Sequence, residues 1–307
     1  MRNRWAGAGD ETQDSMKIGP QTQHSSAISS SNERVILVRG KDLCAELIGH
    51  VSFTDHIWLL ITGELPSAGQ CAVLDATLVA IAEHGLVPSV QASRLTLAAA
   101  PEALQGAVAA GVLGCGSVIL GAAEQSGRLL ADVVARTAAA KGTPAAAGAT
   151  GSGSAAAFTA ASAAALDDVA LERVREERAA RRPVAGYGHP LHKQSDPRVQ
   201  RLLDIAEQAG CSGRHIQAAR AVERALPAVI GKPLAMNVSA AIAAVLLDAG
   251  YPLLALKGVP ILARTASLIA HLLEEQHRPI GFVLSHAAAS AIDYDGPAPA
   301  GFVPGDH

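Results

Sequence analysis

At 307 residues, with hydrophobic side chains at 49% and aromatics at 3%, the chain has room for one large domain or two ordinary ones, packed from small aliphatic groups. A net charge of −3 with interspersed signs excludes an electrostatic case for nucleic acid or acidic membranes. The four cysteines (Cys44, Cys71, Cys115, Cys211) are far apart and form no CxxC pair, which excludes a zinc site or disulfide framework and reads as reduced thiols of a cytoplasmic protein.

Residues 1–33 hold no apolar core segment, and Asp10, Glu11 and Asp14 do not fit a mitochondrial presequence; their Ser, Gln and Asn content predicts a disordered tail. RVILVRG, at 34–40, is the single strand-like run. Two short helices follow within DLCAELIGHVSFTDHIWLLITGELPS: Asp42 can cap the first, while the second stops at Gly63 with Pro66 beyond it. AGQCAVLDATLVAIAEHG predicts a long amphipathic helix ending at Gly85, and the segment 89–114 predicts helices broken near Pro101. The uncharged run 106–123 approaches the lower length of a membrane span, but its five glycines favour a buried, interrupted helix. At 137–166 the composition turns low in complexity; GATGSGS lacks the GK[ST] of a phosphate loop and reads as a connection.

LDDVALERVREERAARR is a charged, solvated helix, and the polar loop GYGHPLHKQSDPR comes directly after it. In the next helix Asp196 is the N-cap, Pro197 the first helical residue and Gly210 the stop. GRHIQAARAVERALPAVIG, NVSAAIAAVLLDAG and VPILARTASLIAHLLEEQH are further helices, so the fold class is all-α. In the polar loop, Gly186 and Gly188 permit close backbone approach, and Pro190 pushes His189 out of helical conformation, displaying an imidazole able to carry a proton near neutral pH. A histidine packed in a turn is the plainer alternative. Arg198 sits at the positive end of its helix, where either an anionic ligand or Asp196 can pair with it. Arg264 shares an apolar stripe with Ile261, Leu268 and His271, so it must be paired or reach outward, ordinarily through a structural salt bridge. Arg278, just past that helix, can serve as a partner of the C-terminal dipole.

Taken together these segments resemble the citrate synthase superfamily, and the short citryl-CoA-lyase-like branch in particular. GYGHPLHKQSDPR resembles its GxGH…DPR signature, AEHGLVPSVQASR its DHxxNxS stretch, NVSAAIAAVLLDAG its NVD helix and LARTASLIAHLLEEQHRP its closing arginine helix. These lie collinearly over roughly residues 35–285, which is more specific than any one motif. The resemblance implies a large domain (34–125 with 235–295), a smaller mobile domain (126–234), a C-terminal tail from 296, and a homodimer or higher homo-oligomer. It implies an acyl-CoA such as acetyl-CoA and a di- or tricarboxylate such as oxaloacetate or citrate as substrates, with no metal and no permanently bound cofactor. By position, His189 matches the histidine at the oxaloacetate carbonyl or citryl hydroxyl. His84 matches a histidine that orients the carboxylate ligand, and Arg198, Arg264 and Arg278 match carboxylate-binding arginines, the last serving the partner subunit. Val184, Ala185, Gly186, Tyr187 and Gly188 match the backbone that embraces the CoA adenine, with Arg181 and Arg182 near its phosphates.

Two positions depart from the pattern. The family's aspartate base in NVD is here Ser239, and the family's enol-stabilising histidine aligns with Ile119. Serine is no base without an activating partner, and isoleucine offers no hydrogen bond. Loss of one positioned acid–base group typically costs about 10²–10⁴ in rate. Asp248, His192 and His271 are the possible substitutes. The resemblance therefore implies either an enzyme with an altered acid–base arrangement or a CoA- and carboxylate-binding relative that has lost catalysis.

Overall fold

The computed structural model describes residues 25–116, 120–140, 160–188 and 195–302. His189, His192, Ile119 and the GATGSGS segment lie outside the described residues. The fold is all-α, as expected, with a small antiparallel sheet before the helices. Its strands are β1 (Ser29–Ser31), β2 (Ile36–Val38) and β3 (Lys41–Asp42), in the order β1-β2-β3. β1 begins inside the segment read as tail. Three serines have little strand preference of their own; they are ordered by pairing, with Ser29 opposite Val38, and by the Asn32 side chain, which accepts the N–H groups of Arg34 and Val35.

The first of the expected short helices is a single π turn, Leu43–Leu47, capped as anticipated by Asp42, which accepts the N–H groups of Cys44 and Ala45. α1 (Phe53–Thr62) starts on a Ser52–Asp55 capping box and ends at Gly63, whose left-handed φ of 87° closes the helix. α2 (Ala68–Ala82) stops three residues short of Gly85, because Glu83 turns its carboxylate onto the Gly85 N–H. α3 (Pro88–Ala99) and α4 (Leu104–Leu113) are split near Pro101, and α5 (Ala122–Ala140) follows. The run 106–123 is therefore shared between two helices. α6 (Ala160–Ala179) starts earlier than its charged portion suggests. α7 (Pro197–Gln208) has Asp196 as its N-cap and Pro197 at its first position. α8 (Arg214–Ile230), α9 (Val238–Asp248), α10 (Gly258–His277) and α11 (Gly281–Ala291) complete the fold. α11 was not visible in the sequence pattern; it opens on the N–H groups of Ile280 and Gly281, both bonded to Glu275.

The chain forms two compact units, one of residues 1–77 with 122–256, the other of 78–121 with 257–307. In the first, α9 is the central helix. Val238 and every residue from Ala240 to Leu246 are buried, and α5, α7 and α8 pack around it. A helix apolar on all sides has to be surrounded, and this one is. In the second unit α3, α4, α10 and α11 pack together. The segment Leu253–His277 is long and apolar enough to cross a membrane. Within it, α10 buries Arg264 and Glu275 against neighbouring helices.

Candidate functional site

In the first unit the backbone ahead of His189 is stitched to the start of α9. Gly188 donates its N–H to the Ala235 carbonyl at 2.7 Å, Asn237 donates its own to the Gly186 carbonyl at 2.9 Å, and the Asn237 side chain donates to the Gly188 carbonyl at 2.8 Å. Tyr187 is buried, and its hydroxyl donates to the Ala219 carbonyl at 2.8 Å; burial holds its pKa well above the ordinary phenol value. Tyr187 is thus an anchor rather than an acid. Val184 and Gly186 are buried too, while Ala185 and Gly188 are partly exposed. A Cβ at Gly186 would lie 2.4 Å from Ser126 Oγ and 2.6 Å from Ala240 Cβ, at a φ of 89°. Gly186→Ala is accordingly expected to destabilise the protein by about 1–3 kcal/mol, readable as a lowered urea midpoint.

Asp196 extends the stitching. Its Oδ1 accepts the Arg198 N–H at 3.1 Å and Arg198 Nε–H at 2.9 Å, while Oδ2 accepts Arg198 Nη2–H at 2.8 Å and the Val238 N–H at 3.1 Å. Burial alone would raise this carboxyl, but those donors hold it below its ordinary value. The two possibilities for Arg198 thus resolve toward the local pair. Asp196 fixes the guanidinium by two of its nitrogens and leaves Nη1 for an anion. An open cavity of about 520 Å³ lies alongside, lined by Ser195, Asp196, Arg220, Glu223 and Met236 among others.

Ser239 is the second residue of α9 and partly exposed. Its N–H donates to the Asn237 cap at 2.9 Å, and no described residue hydrogen-bonds its hydroxyl to activate it. Asp248 does not substitute. It lies at the far end of α9, about 13 Å along the axis from Ser239 at 1.5 Å per residue. There its carboxylate accepts the N–H groups of Gly213, His215 and Ile216 and pairs with His215 Nδ1 at 2.8 Å, capping α8. Arg182 is likewise committed, to Glu177 at 2.7 and 3.1 Å, which leaves the exposed Arg181 as the freer of that pair.

In the second unit Arg264 is only 2% exposed, and among the described residues neither Nε nor Nη1 has a hydrogen-bond partner. Among the described residues, the structural salt bridge that its place on an apolar stripe suggested is not found. A buried guanidinium with two open N–H groups is a standing demand for a planar anion. His84 is exposed, in the bend between α2 and α3. The residue before it, Glu83, accepts Ser267 Oγ–H at 2.8 Å and meets His271 Nε2 at 3.0 Å, tying that bend to the helix of Arg264. Burial would raise the Glu83 carboxyl, but the bonds from Ser267, Gly85 and His271 keep it below its ordinary value. His271 is therefore engaged with Glu83 rather than poised as a replacement acid. Arg278 projects outward, its side chain 82% exposed, with one long contact to Glu274 at 3.9 Å.

Sequence reasoning missed the ion pair beneath Arg278. Arg94 is buried, with Nε 2.6 Å from Glu275, Nη1 2.9 Å from Glu274 and Nη2 3.1 Å from the Arg278 carbonyl. The only signal was a charged residue at an otherwise apolar position of α3. Among the described residues, no cluster of His, Cys, Asp and Glu could hold a metal ion.

A family model described as citrate synthase, C-terminal domain, matches residues 69–281. No curated protein matches the chain. Among solved structures, citryl-CoA lyase from Hydrogenobacter thermophilus is 28% identical, with a TM-score of 0.72 over 91% of this chain and 97% of that one. ATP citrate lyase from Methanothrix soehngenii, in complex with citrate and coenzyme A, is 21% identical with a TM-score of 0.68, over 92% of this chain and 43% of its own. Citrate synthase from Thermotoga maritima is 18% identical with a TM-score of 0.56, over 83% of this chain and 60% of its own. The last two share the fold.

Proposed function

The chain belongs to the citrate synthase family, and from that premise we propose that it is an enzyme of the citryl-CoA lyase or citrate synthase type, making or cleaving the carbon–carbon bond between an acyl-CoA and a 2-oxo acid. Acetyl-CoA with oxaloacetate, or citryl-CoA in reverse, are the substrates of this reading. The observation that carries it is Arg264, buried with two N–H groups open to a carboxylate. Arg198, fixed by Asp196, and His84 are the further carboxylate contacts, and the stitched segment 184–188 is the backbone against which the CoA adenine lies. In the cleavage direction the citryl hydroxyl gives its proton to His189 as the carbon–carbon bond breaks. The bonding electrons pass to the α-carbon of the thioester as an enolate, which must then be protonated there. The scheme invokes no permanently bound cofactor; CoA enters as substrate.

A second reading is favoured by Ser239, whose hydroxyl has no described activating partner. On that reading the chain binds CoA and carboxylate without turnover, as an assembly subunit or impaired homologue. Purified protein offered citryl-CoA, and separately acetyl-CoA with oxaloacetate, decides between them: cleavage of citryl-CoA leaves the thioester intact and is read as oxaloacetate and acetyl-CoA formed, while citrate synthesis is read as CoA thiol released. Turnover abolished by His189→Ala supports the enzyme. Citrate or CoA binding without turnover supports the second reading. The double variant Ser239→Asp, Ile119→His is expected to raise citryl-CoA cleavage by about 10²-fold or more. An aspartate at the second position of α9 also sits at the favourable end of the helix dipole.

Homodimerisation belongs to the same proposal. Phe282 and Val283, adjacent on α11, are each more than half exposed apolar side chains, suited to a second copy, and Arg278 lies outward on the same unit. Sedimentation of a Phe282→Glu variant, expected to fall to monomer, checks it. The cytoplasm is the proposed location, supported by four free thiols.

A further inference from the structure

The C-terminal end of α4 lies unusually close to the start of α3 and the middle of α10. A Cβ at Gly111 would stand 2.6 Å from Leu268 Cδ1 and 2.9 Å from the Ser89 carbonyl, and one at Gly114 would stand 3.3 Å from Ser89 Cα. One turn beyond Gly111 is Cys115, whose Sγ lies 3.4 Å from the Gly111 carbonyl. One turn before Leu268, on the same face of α10, is Arg264. The close approach of these helices thus brings Cys115, Ser89 and Arg264 into one neighbourhood. Ser89 is fully buried beside the thiol, and Arg264 Nε and Nη1 have no hydrogen-bond partner among the described residues. The nearness shows in the thiol itself: burial pushes Cys115 up from its ordinary pKa, while the Arg264 charge and the Ser89 hydroxyl pull against that rise. At neutral pH Cys115 is therefore a neutral thiol, partly exposed, beside a buried cation it does not satisfy.

We propose that Cys115 is an oxidation site, and that its sulfinate acts as an internal carboxylate mimic that seats on Arg264 and shuts out the ligand. The co-reactant is a hydroperoxide. The thiol first gives its proton to solvent, in the small fraction its raised pKa allows; the thiolate sulfur then attacks one peroxide oxygen, the S–O bond forms as the O–O bond breaks, and the leaving hydroxide takes that proton up as water, giving a sulfenic acid. A second hydroperoxide repeats the step and yields the sulfinate, a proton and another water. Each peroxide is reduced by two electrons and the sulfur is oxidised by four. A sulfinate presents two oxygens on one centre, as a carboxylate does, and so suits the Nε and Nη1 edge of Arg264. The fixed negative charge then fills the place that the proposed function gives to substrate carboxylate, and the ligand part of the inference rests on that reading.

The test uses the full chain with Cys44, Cys71 and Cys211 changed to serine, oxidised by hydrogen peroxide at mildly alkaline pH until intact mass shows two added oxygens. Without any ligand, the sulfinate form is expected to melt several degrees above the thiol form, and that rise is expected to vanish when Arg264→Met is added. With citrate as the probe, oxidation is expected to weaken calorimetric binding at least about tenfold, and saturating citrate to slow the oxidation of Cys115. Equal melting shifts with and without Arg264 would overturn the proposal, as would a Cys115 that resists peroxide in the folded protein and reacts only once it is unfolded. Citrate that binds both forms equally and leaves the oxidation rate unchanged would also overturn it, with the functional reading intact. Failure of the thiol form to bind citrate, beside an Arg264-dependent melting rise, would sink the functional reading and uphold the oxidation site.

Discussion

Arg264→Met is expected to leave the ligand-free protein as stable as the parent, or more so, while removing its affinity for citrate. The two effects have one cause. Arg264 is 2% exposed with Nε and Nη1 unpartnered, so the fold carries the desolvation of a cation with no anion among the described residues to offset it. Methionine fills much of the same volume without that penalty, and replacing buried charge by an apolar group of similar size is often neutral or stabilising. In a ligand complex the same guanidinium meets a carboxylate in a dry setting, where truncating one partner costs about 2–5 kcal/mol, or roughly 30-fold and upward in affinity. Thermal melts with and without citrate read both halves. A large loss of stability in the ligand-free variant would mean that the fold employs Arg264 after all. Citrate binding that survives the change would remove it from the site.

The largest loss of stability is expected at Glu275. Replacing it by alanine leaves Arg94 charged and buried, and removes the acceptor for the Ile280 and Gly281 N–H groups that open α11. Breaking a buried pair in this way costs about 3–5 kcal/mol. Urea denaturation at neutral pH measures it, with Arg94→Ala as the matching half; a loss below 1 kcal/mol in both would show the pair to be idle. The pH dependence has a definite sign. Burial would raise the Glu275 carboxyl, but Arg94 and the two N–H groups hold it below its ordinary value of 4.5. A depressed carboxyl contributes stability that is complete above its unfolded value and is lost as pH falls through the folded one. The parent should therefore lose stability below about pH 4.5 more steeply than Glu275→Ala.

Local chemistry explains which features were legible from residues alone. Asp196, Pro197 and Gly63 act within a turn of their own positions, so their capping roles are written in a few adjacent letters. The burial of α9 follows from a segment that is apolar on every side. Arg94 and Glu275, by contrast, are 181 residues apart, and no periodicity links them. The β1 serines are ordered by their partner strand, which their own composition does not announce. Arg198 had two possible partners at equal standing, and only the geometry of Asp196 separates them. Arg264 shows the opposite limit: its apolar stripe suggested a salt bridge, and an open pair of donors is a property of what surrounds the side chain.

Asp196 and Arg264 also differ in what their presence testifies to. A single carboxylate at 196 joins the entry of α7, the entry of α9 and a guanidinium, so a chain with no chemistry left to perform would still suffer from losing it. The DPR segment would outlast the activity that it resembles. Among the described residues Arg264 has no such employment, and drift toward an apolar residue would relieve it. On the proposed reading, then, the arginine answers to a ligand and the aspartate to the fold.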